Sequence, residues 1–353
     1  MSEPAKSLSQ PIIIAGMHRS GTSLTASILQ QAGVFIGDQL LEANVGNTKG
    51  YFEDADFLNL HREVLIAQGI GAEGWSAAGK VEVPEQFWQR AQTLCDRRLQ
   101  THALWGWKEP RTTLFLDFWQ CLLPQVKVIL PYRSPWEVID SLFMRGDDIF
   151  VHNPNFAVDI WLAYNRAVLA FYQQHPDDCF LFHCHVLRTD EAGFVDQVRQ
   201  KLELPLTVPD QRLFDPAVMH HQGSHTHRLT LLALHFPETL ELYDKLQQLA
   251  DIPTSEAVKT TASNEAEAAY RDWILQDWRT SSRSQTELKQ LKTELQTVQA
   301  QLQTLAAQLQ QAQAKLTHQQ RTIEAMESNR AWQLRNAWLS LKKRLNLMPE
   351  EPS

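Results

Sequence analysis

Cysteine is scarce. The 353 residues hold four, Cys95, Cys121, Cys179 and Cys184. None forms a C-x-x-C pair and most have apolar neighbours, so buried, reduced thiols are expected, which suits a cytosolic compartment. No run approaches the roughly 20 apolar residues that cross a bilayer. The opening MSEPAKSLSQ lacks the basic-then-apolar order of a signal peptide, so a cytoplasmic location is expected. Positive charge is also short: 33 Lys and Arg against 41 Asp and Glu give a net charge of -8. That balance speaks against nucleic acid as a partner. It does not exclude a small anion, because a pocket can be basic within an acidic protein.

The 43% of hydrophobic residues is enough to bury a sizeable core. From Pro11 to about Tyr243, short β-like runs alternate with helical patterns, the order of a parallel sheet with crossover helices. Strands are expected at Pro11–Ala15, Leu104–Lys108, Val126–Tyr132 and Cys179–His185. Helices are expected at Thr22–Ala32, Thr112–Leu122, Pro135–Met144, Phe156–Gln174 and Glu191–Leu202. The expected fold is α/β, a P-loop-like three-layer domain with a central parallel sheet over residues 11–250, followed by a long α-helical coiled coil. Residues 251–267 read as a linker rich in Thr, Ser, Ala and Glu. Residues 268–328 contain no Gly or Pro, and apolar residues recur from Leu288 to Met326 at alternating spacings of three and four. That is a heptad seam, and it predicts self-association, most simply as a dimer.

The first strand runs into Gly16-Met17-His18-Arg19-Ser20-Gly21-Thr22-Ser23. This is the frame of the phosphate-binding G-x-x-x-x-G-K-[ST], a glycine turn whose amides and following helix cradle an anion. Thr22 stands where the lysine belongs. A P-loop small-molecule kinase uses that lysine on its phosphates, so Thr22 argues against one. Arg19 supplies a cation inside the loop instead. A second turn follows the third strand: Arg133, then Ser134 and Glu137 as a capping box, Pro135 at the first helical position, and Ser141 two turns along the same face. Arg133 and Ser141 can thereby converge on one anion, although a capped helix with an incidental arginine fits this segment equally.

The segment Ala15–Ser23 resembles the 5′-phosphosulfate loop of sulfotransferases dependent on 3′-phosphoadenylyl sulfate (PAPS), above all the bacterial branch related to tyrosylprotein sulfotransferases. Arg133 with Ser141 resembles that family's 3′-phosphate site, and Trp107-Lys108-Glu109-Pro110-Arg111-Thr112 its K-D-P turn. The resemblance covers about Pro11 to Leu249. It implies that Arg19, Ser20, Gly21, Thr22, Ser23, Arg133 and Ser141 bind PAPS, and that Arg19 and Lys108 act on the moving sulfonate. Glu109 replaces the family's Asp, a change expected to matter little. No metal is required by this chemistry.

The family's general base is a carboxylate or histidine soon after the first helix. Asp38, Glu42, Glu53 and Asp54 are the candidates. Glu53 is favoured because Gly50-Tyr51-Phe52-Glu53-Asp54 resembles a segment frequent in that branch. His220, His221, His225 and His227 cluster in one stretch, and His183 and His185 alternate on the fourth expected strand. They lack companion ligands at a known zinc spacing, so no metal is assigned to them. Phe214–Arg228 is expected to lie over the nucleotide, as a basic loop does in the family.

The acceptor is not legible. A non-catalytic coiled-coil scaffold is the other alternative, and it would not need the charged residues that are present. The last segment, Asn329–Leu347, carries Arg330, Arg335, Lys342, Lys343 and Arg344 and no acidic residue. With Trp338 and leucines along one stripe it is expected either to dock on the first domain or extend the coiled coil, or to lie on an anionic membrane surface. The second of these would favour a glycan or lipid-linked sugar as acceptor.

Overall fold

The computed structural model describes residues 9–41, 52–209, 226–254, 264–328 and 330–345. Glu42, Gly50, Tyr51, His220, His221, His225, Asn329, most of Phe214–Arg228 and most of the expected linker lie outside them. Among the described residues no helix is long and apolar enough to cross a membrane.

Strand β1 (Gln10–Ile14) is followed by helices α1 (Thr22–Gln31), α2 (Ala55–Ala67) and α3 (Glu85–Thr101). Strand β2 (Leu104–Lys108) leads into a 3-10 segment, Pro110–Phe115, and α4 (Leu116–Leu122). After β3 (Lys127–Tyr132) come α5 (Pro135–Arg145), α6 (Asp148–His152) and α7 (Pro154–Gln174). Strand β4 (Cys179–His183) precedes α8 (Val186–Thr189), α9 (Glu191–Leu202), α10 (Thr226–His235) and α11 (Pro237–Leu249). All four strands are parallel, in the order β2-β1-β3-β4.

The β-branched run Ile12-Ile13-Ile14 suits a strand covered on both faces. Ile13 points into one core with Trp107, Val128, Leu130, Trp161 and Tyr243. Ile12 and Ile14 point into the other, with Ile28 of α1, Ile129, Phe180 and Phe194 of α9. The alternation of neighbouring side chains across the sheet therefore produces the three layers. Residues Met1–Arg271 make one compact unit and Asp272–Ser353 a second.

Several expectations need correction. The helix expected over Thr112–Leu122 is two elements, because Pro110 and the Glu109 side chain, accepting from the Arg111 amide at 3.2 Å, start a tighter 3-10 turn. Strand β4 ends at His183. His185 has helical backbone angles ahead of α8, so the two histidines do not alternate on a strand. Cys121 is exposed, while the other three cysteines are buried.

Helix α12 (Asn264–Ser328, 65 residues) begins within the first unit and runs on through the second, which also holds α13 (Arg330–Arg344). The large apolar residues between Leu288 and Met326 are exposed. On α13, Leu334, Trp338 and Leu341 are exposed as well, and the Lys342 ammonium sits 4.0 Å from the Trp338 ring centroid.

In the first unit one buried cation fixes the segment that leads into α2. Arg98 of α3 is 2% exposed and donates to Asp54 at 2.7 Å, to Asp38, and to Asp56 at 3.5 Å. Asp54 in turn caps α2 by accepting from the Asp56 amide at 2.9 Å. Replacing Arg98 by Met would leave the buried Asp54 carboxylate without its partner. We expect a loss of about 3–5 kcal/mol in urea unfolding. A change below about 1 kcal/mol would show that the cluster does not hold this segment.

Candidate active site

The strand order defines where a ligand can bind. The chain leaves β1 for β2 on one side, then crosses to β3 on the other, so the carboxyl ends of β1 and β3 flank a crevice. Ile14 stands beside Lys108 in one register and beside Ile129 in the other. The turns after β1, β2 and β3 therefore meet.

The first turn is shaped by its glycines. A Cβ on Gly16 would lie 2.6 Å from the Pro131 carbonyl oxygen of β3, so only glycine lets the loop pass this close. Gly21 has φ 88° and stands as the N-cap of α1, with no side chain capping the helix amides. Thr22 and Ser23 are the first two residues of α1, Thr22 buried and Ser23 half-buried. Arg19 sits at φ 69°, a left-handed conformation that costs a non-glycine residue roughly 1 kcal/mol or more. Two buried polar atoms in the loop, Ser20 Oγ and His18 Nε2, have no hydrogen-bond partner. Burial, then the nearby Arg111, hold His18 well below the usual histidine range, so its imidazole is neutral at pH 7.

The loop meets the third turn through hydrogen bonds. Arg19 Nε donates to Ser141 Oγ at 2.8 Å, and Arg133 Nη1 donates to the Arg19 carbonyl at 3.3 Å. Ser141 thus contacts Arg19, where the sequence had suggested pairing with Arg133 alone. Arg133 is oriented by Glu137, Nη2 to Oε1 at 3.2 Å. Ser134 does not cap α5 through its side chain; its hydroxyl donates to the Glu137 carboxylate instead. The expected capping box is therefore a side-chain clamp on Arg133.

At the end of β2, Lys108 is 1% exposed and its ammonium donates to Glu53 Oε1 at 2.8 Å. Burial pushes the Lys108 pKa down, and Glu53 opposes that shift. Of the other carboxylates considered, Asp38 and Asp54 are committed to Arg98. Glu109 is more than a substitute for Asp. It is fully buried, accepts from Arg111 Nη1 at 2.6 Å and pairs with His61 Nδ1 at 2.9 Å. Trp119 Nε1, which can only donate, binds His61 Nε2 at 2.9 Å, so the His61 proton is on Nδ1 and points to Glu109. Burial alone would raise Glu109, but Arg111 and His61 hold it well below the carboxylate range.

His61 and Arg98 had no sequence signal, since their partners lie 42 to 60 residues away. His18 and Arg111 lay inside quoted motifs without being assigned a role. A cleft of about 510 Å³ lies beside the loop, lined in part by Glu73, Trp75, Arg145 and Asp147. Trp75 packs against His18 with ring centroids 4.7 Å apart. His183 is buried, with its pKa lowered to about 4 by that burial, and touches Tyr243 at 3.3 Å. Among the described residues no group of three metal-ligating side chains converges.

The model of the sulfotransferase family matches residues 11–210, more than half of the chain. The chain belongs to the sulfotransferase family. Its members transfer sulfonyl groups. The structure is similar to the sulfotransferase domain of a Synechococcus olefin synthase, at 18% identity over 77% of this chain and 98% of that one, with a TM-score of 0.38. A sulfotransferase of Mycobacterium avium matches at 12% identity, covering 71% and 79% of the two chains, TM-score 0.42. One of Alicyclobacillus acidocaldarius matches at 13%, covering 70% and 97%, TM-score 0.42. No curated protein matches this sulfotransferase sequence.

The Glu137 clamp makes a prediction about acid stability. Burial opposes its ionisation, but Arg133 and the Ser134 hydroxyl bring its pKa down from 4.5 to about 2. A depressed folded-state value stabilises the protein above pH 4.5 and loses that stabilisation as pH falls toward 2. At about 1.4 kcal/mol per unit this is at most ~3.5 kcal/mol. In Glu137→Gln, unfolding free energy should fall less steeply with acid over that window. Identical slopes would refute the clamp.

Proposed function

We propose that the chain transfers the sulfonate of PAPS to a hydroxyl or amine of an acceptor. The observation that carries this reading is the joining of two anion-binding turns, where Arg133 reaches the Arg19 carbonyl and Arg19 reaches Ser141. A donor with a phosphosulfate at one end and a 3′-phosphate on its ribose calls for two such turns. The unpartnered Ser20 hydroxyl and the uncapped amides of α1 fit an anion in the first turn.

On this reading Ser20, Gly21, Thr22 and Ser23 hold the phosphosulfate, and Arg133 and Ser141 the 3′-phosphate. PAPS supplies a sulfonate already activated for transfer. Arg19 and Lys108 balance the charge that grows on the departing phosphate and the sulfonyl oxygens. Glu53, joined to Lys108, takes the acceptor proton. Trp119, His61, Glu109 and Arg111 keep the β2 turn rigid behind Lys108. The cleft beside Trp75 is the acceptor side on this reading, because the Trp75 ring that lines it packs against His18 of the loop.

Two experiments test the assignments. Calorimetric titration with adenosine 3′,5′-bisphosphate should show Arg133→Ala binding roughly 10–100-fold more weakly, the loss of one charge-assisted contact. Equal affinity would remove Arg133 from the donor site. With saturating PAPS and a panel of glycan, phenol and amine acceptors, Lys108→Met and Glu53→Gln should each lose about 10²-fold or more in turnover. Both variants should still bind the bisphosphate within a few fold. Unchanged turnover in a folded variant would return that residue to a structural role.

A further inference from the structure

Helix α12 carries an apolar stripe with a period of 3.5 residues. Leu288, Leu295, Leu302, Leu309, Leu316 and Ile323 occupy one heptad position, a. Leu291, Val298, Leu305, Ala312, Gln319 and Met326 occupy the other, d. The large aliphatic residues among them are 50 to 65% exposed. A straight α-helix drifts by about 20° per heptad against such a repeat, so a continuous seam needs a partner helix that supercoils with it. Among the described residues the next longest helix of the chain, α7, has 21 residues, and its apolar side chains are already buried in the first unit. A second copy carries the same stripe at the same length.

Leucine at both positions leaves strand direction open. Gln319 decides it. In parallel, in-register pairing d faces d, so Gln319 meets Gln319, and each amide offers the other a carbonyl and an NH2. In antiparallel pairing d faces a, and every a residue of the seam is Leu or Ile. A parallel shift of one heptad sets Gln319 against Ala312 or Met326. Each of these alternatives buries an amide without a partner. We propose that the chain forms a parallel, in-register homodimer along Leu288–Met326, with Gln319 as the residue that sets the register.

Light scattering of the full chain should give about 81 kDa, twice the 40.5 kDa of one chain. A monomer, trimer or tetramer would overturn the proposal. Leu302→Glu with Leu309→Glu should return the mass to that of one chain while the first unit keeps its thermal transition; a dimer that survives both changes would place the contact elsewhere. Direction is read from Ala312→Cys in a Cys121→Ser background, which removes the exposed native thiol. Oxidised glutathione should link two chains through residue 312 nearly completely. A dimer that does not cross-link would exclude the parallel, in-register form. Adding Gln319→Leu should slow that cross-link several-fold or raise the oligomer mass, because the register is no longer enforced. An unchanged rate and mass would show that Gln319 does not set it.

Discussion

The site depends on one constraint, the position of β1 between β2 and β3 in a parallel sheet. Parallel neighbours end on the same edge, so three turns far apart in sequence open side by side. The run of three isoleucines suits the arrangement, since β1 is covered by a core on each face of the sheet. Gly16 then lets the first turn lean on Pro131 of β3. The contacts among Arg19, Arg133 and Ser141 follow from this packing and need no long-range search by flexible side chains.

Behind the turns stands a set of buried charges, each with a defined partner: Lys108 with Glu53, Glu109 with Arg111 and His61, Arg98 with its aspartates. Such pairs add little net stability over an apolar core. They do make errors costly, because any misplacement leaves an ion uncompensated away from water. A site that must hold charged groups within fractions of an ångström gains from that penalty. The Trp119–His61 contact extends the same logic, since an indole that only donates leaves the imidazole one tautomer.

The sequence displayed what local pattern can encode. Glycine spacing announced the first turn, β-branched runs the strands, and Lys108 closed a strand within a motif. The heptad stripe of α12 was equally visible, because periodicity needs no tertiary context. Pairings across long separations were invisible. Nothing around Arg98 announces Asp38 or Asp54, and nothing around Glu109 announces His61. Those contacts exist only once α2 and α3 have packed into the core on one face of the sheet. Ser134 and Glu137 show the subtler failure. Their spacing matched a cap, but Arg133 next door drew the carboxylate to itself, and the hydroxyl followed the carboxylate instead of the helix amides. Local chemistry gave way to a neighbouring charge.

The partners of the two arginines bear on how an anion leaves. Arg19 is engaged by Ser141, and Arg133 by Glu137 and the Arg19 carbonyl. These groups are tethered beside the guanidiniums, so their effective concentration is set by geometry and never falls. On the proposed reading Ser141 turns to the phosphate as a ligand, while Glu137 stays on Arg133 and competes with the phosphate for its guanidinium. On that reading the built-in competitor limits how tightly a phosphate product is retained, and a catalyst that releases its product slowly cannot turn over quickly.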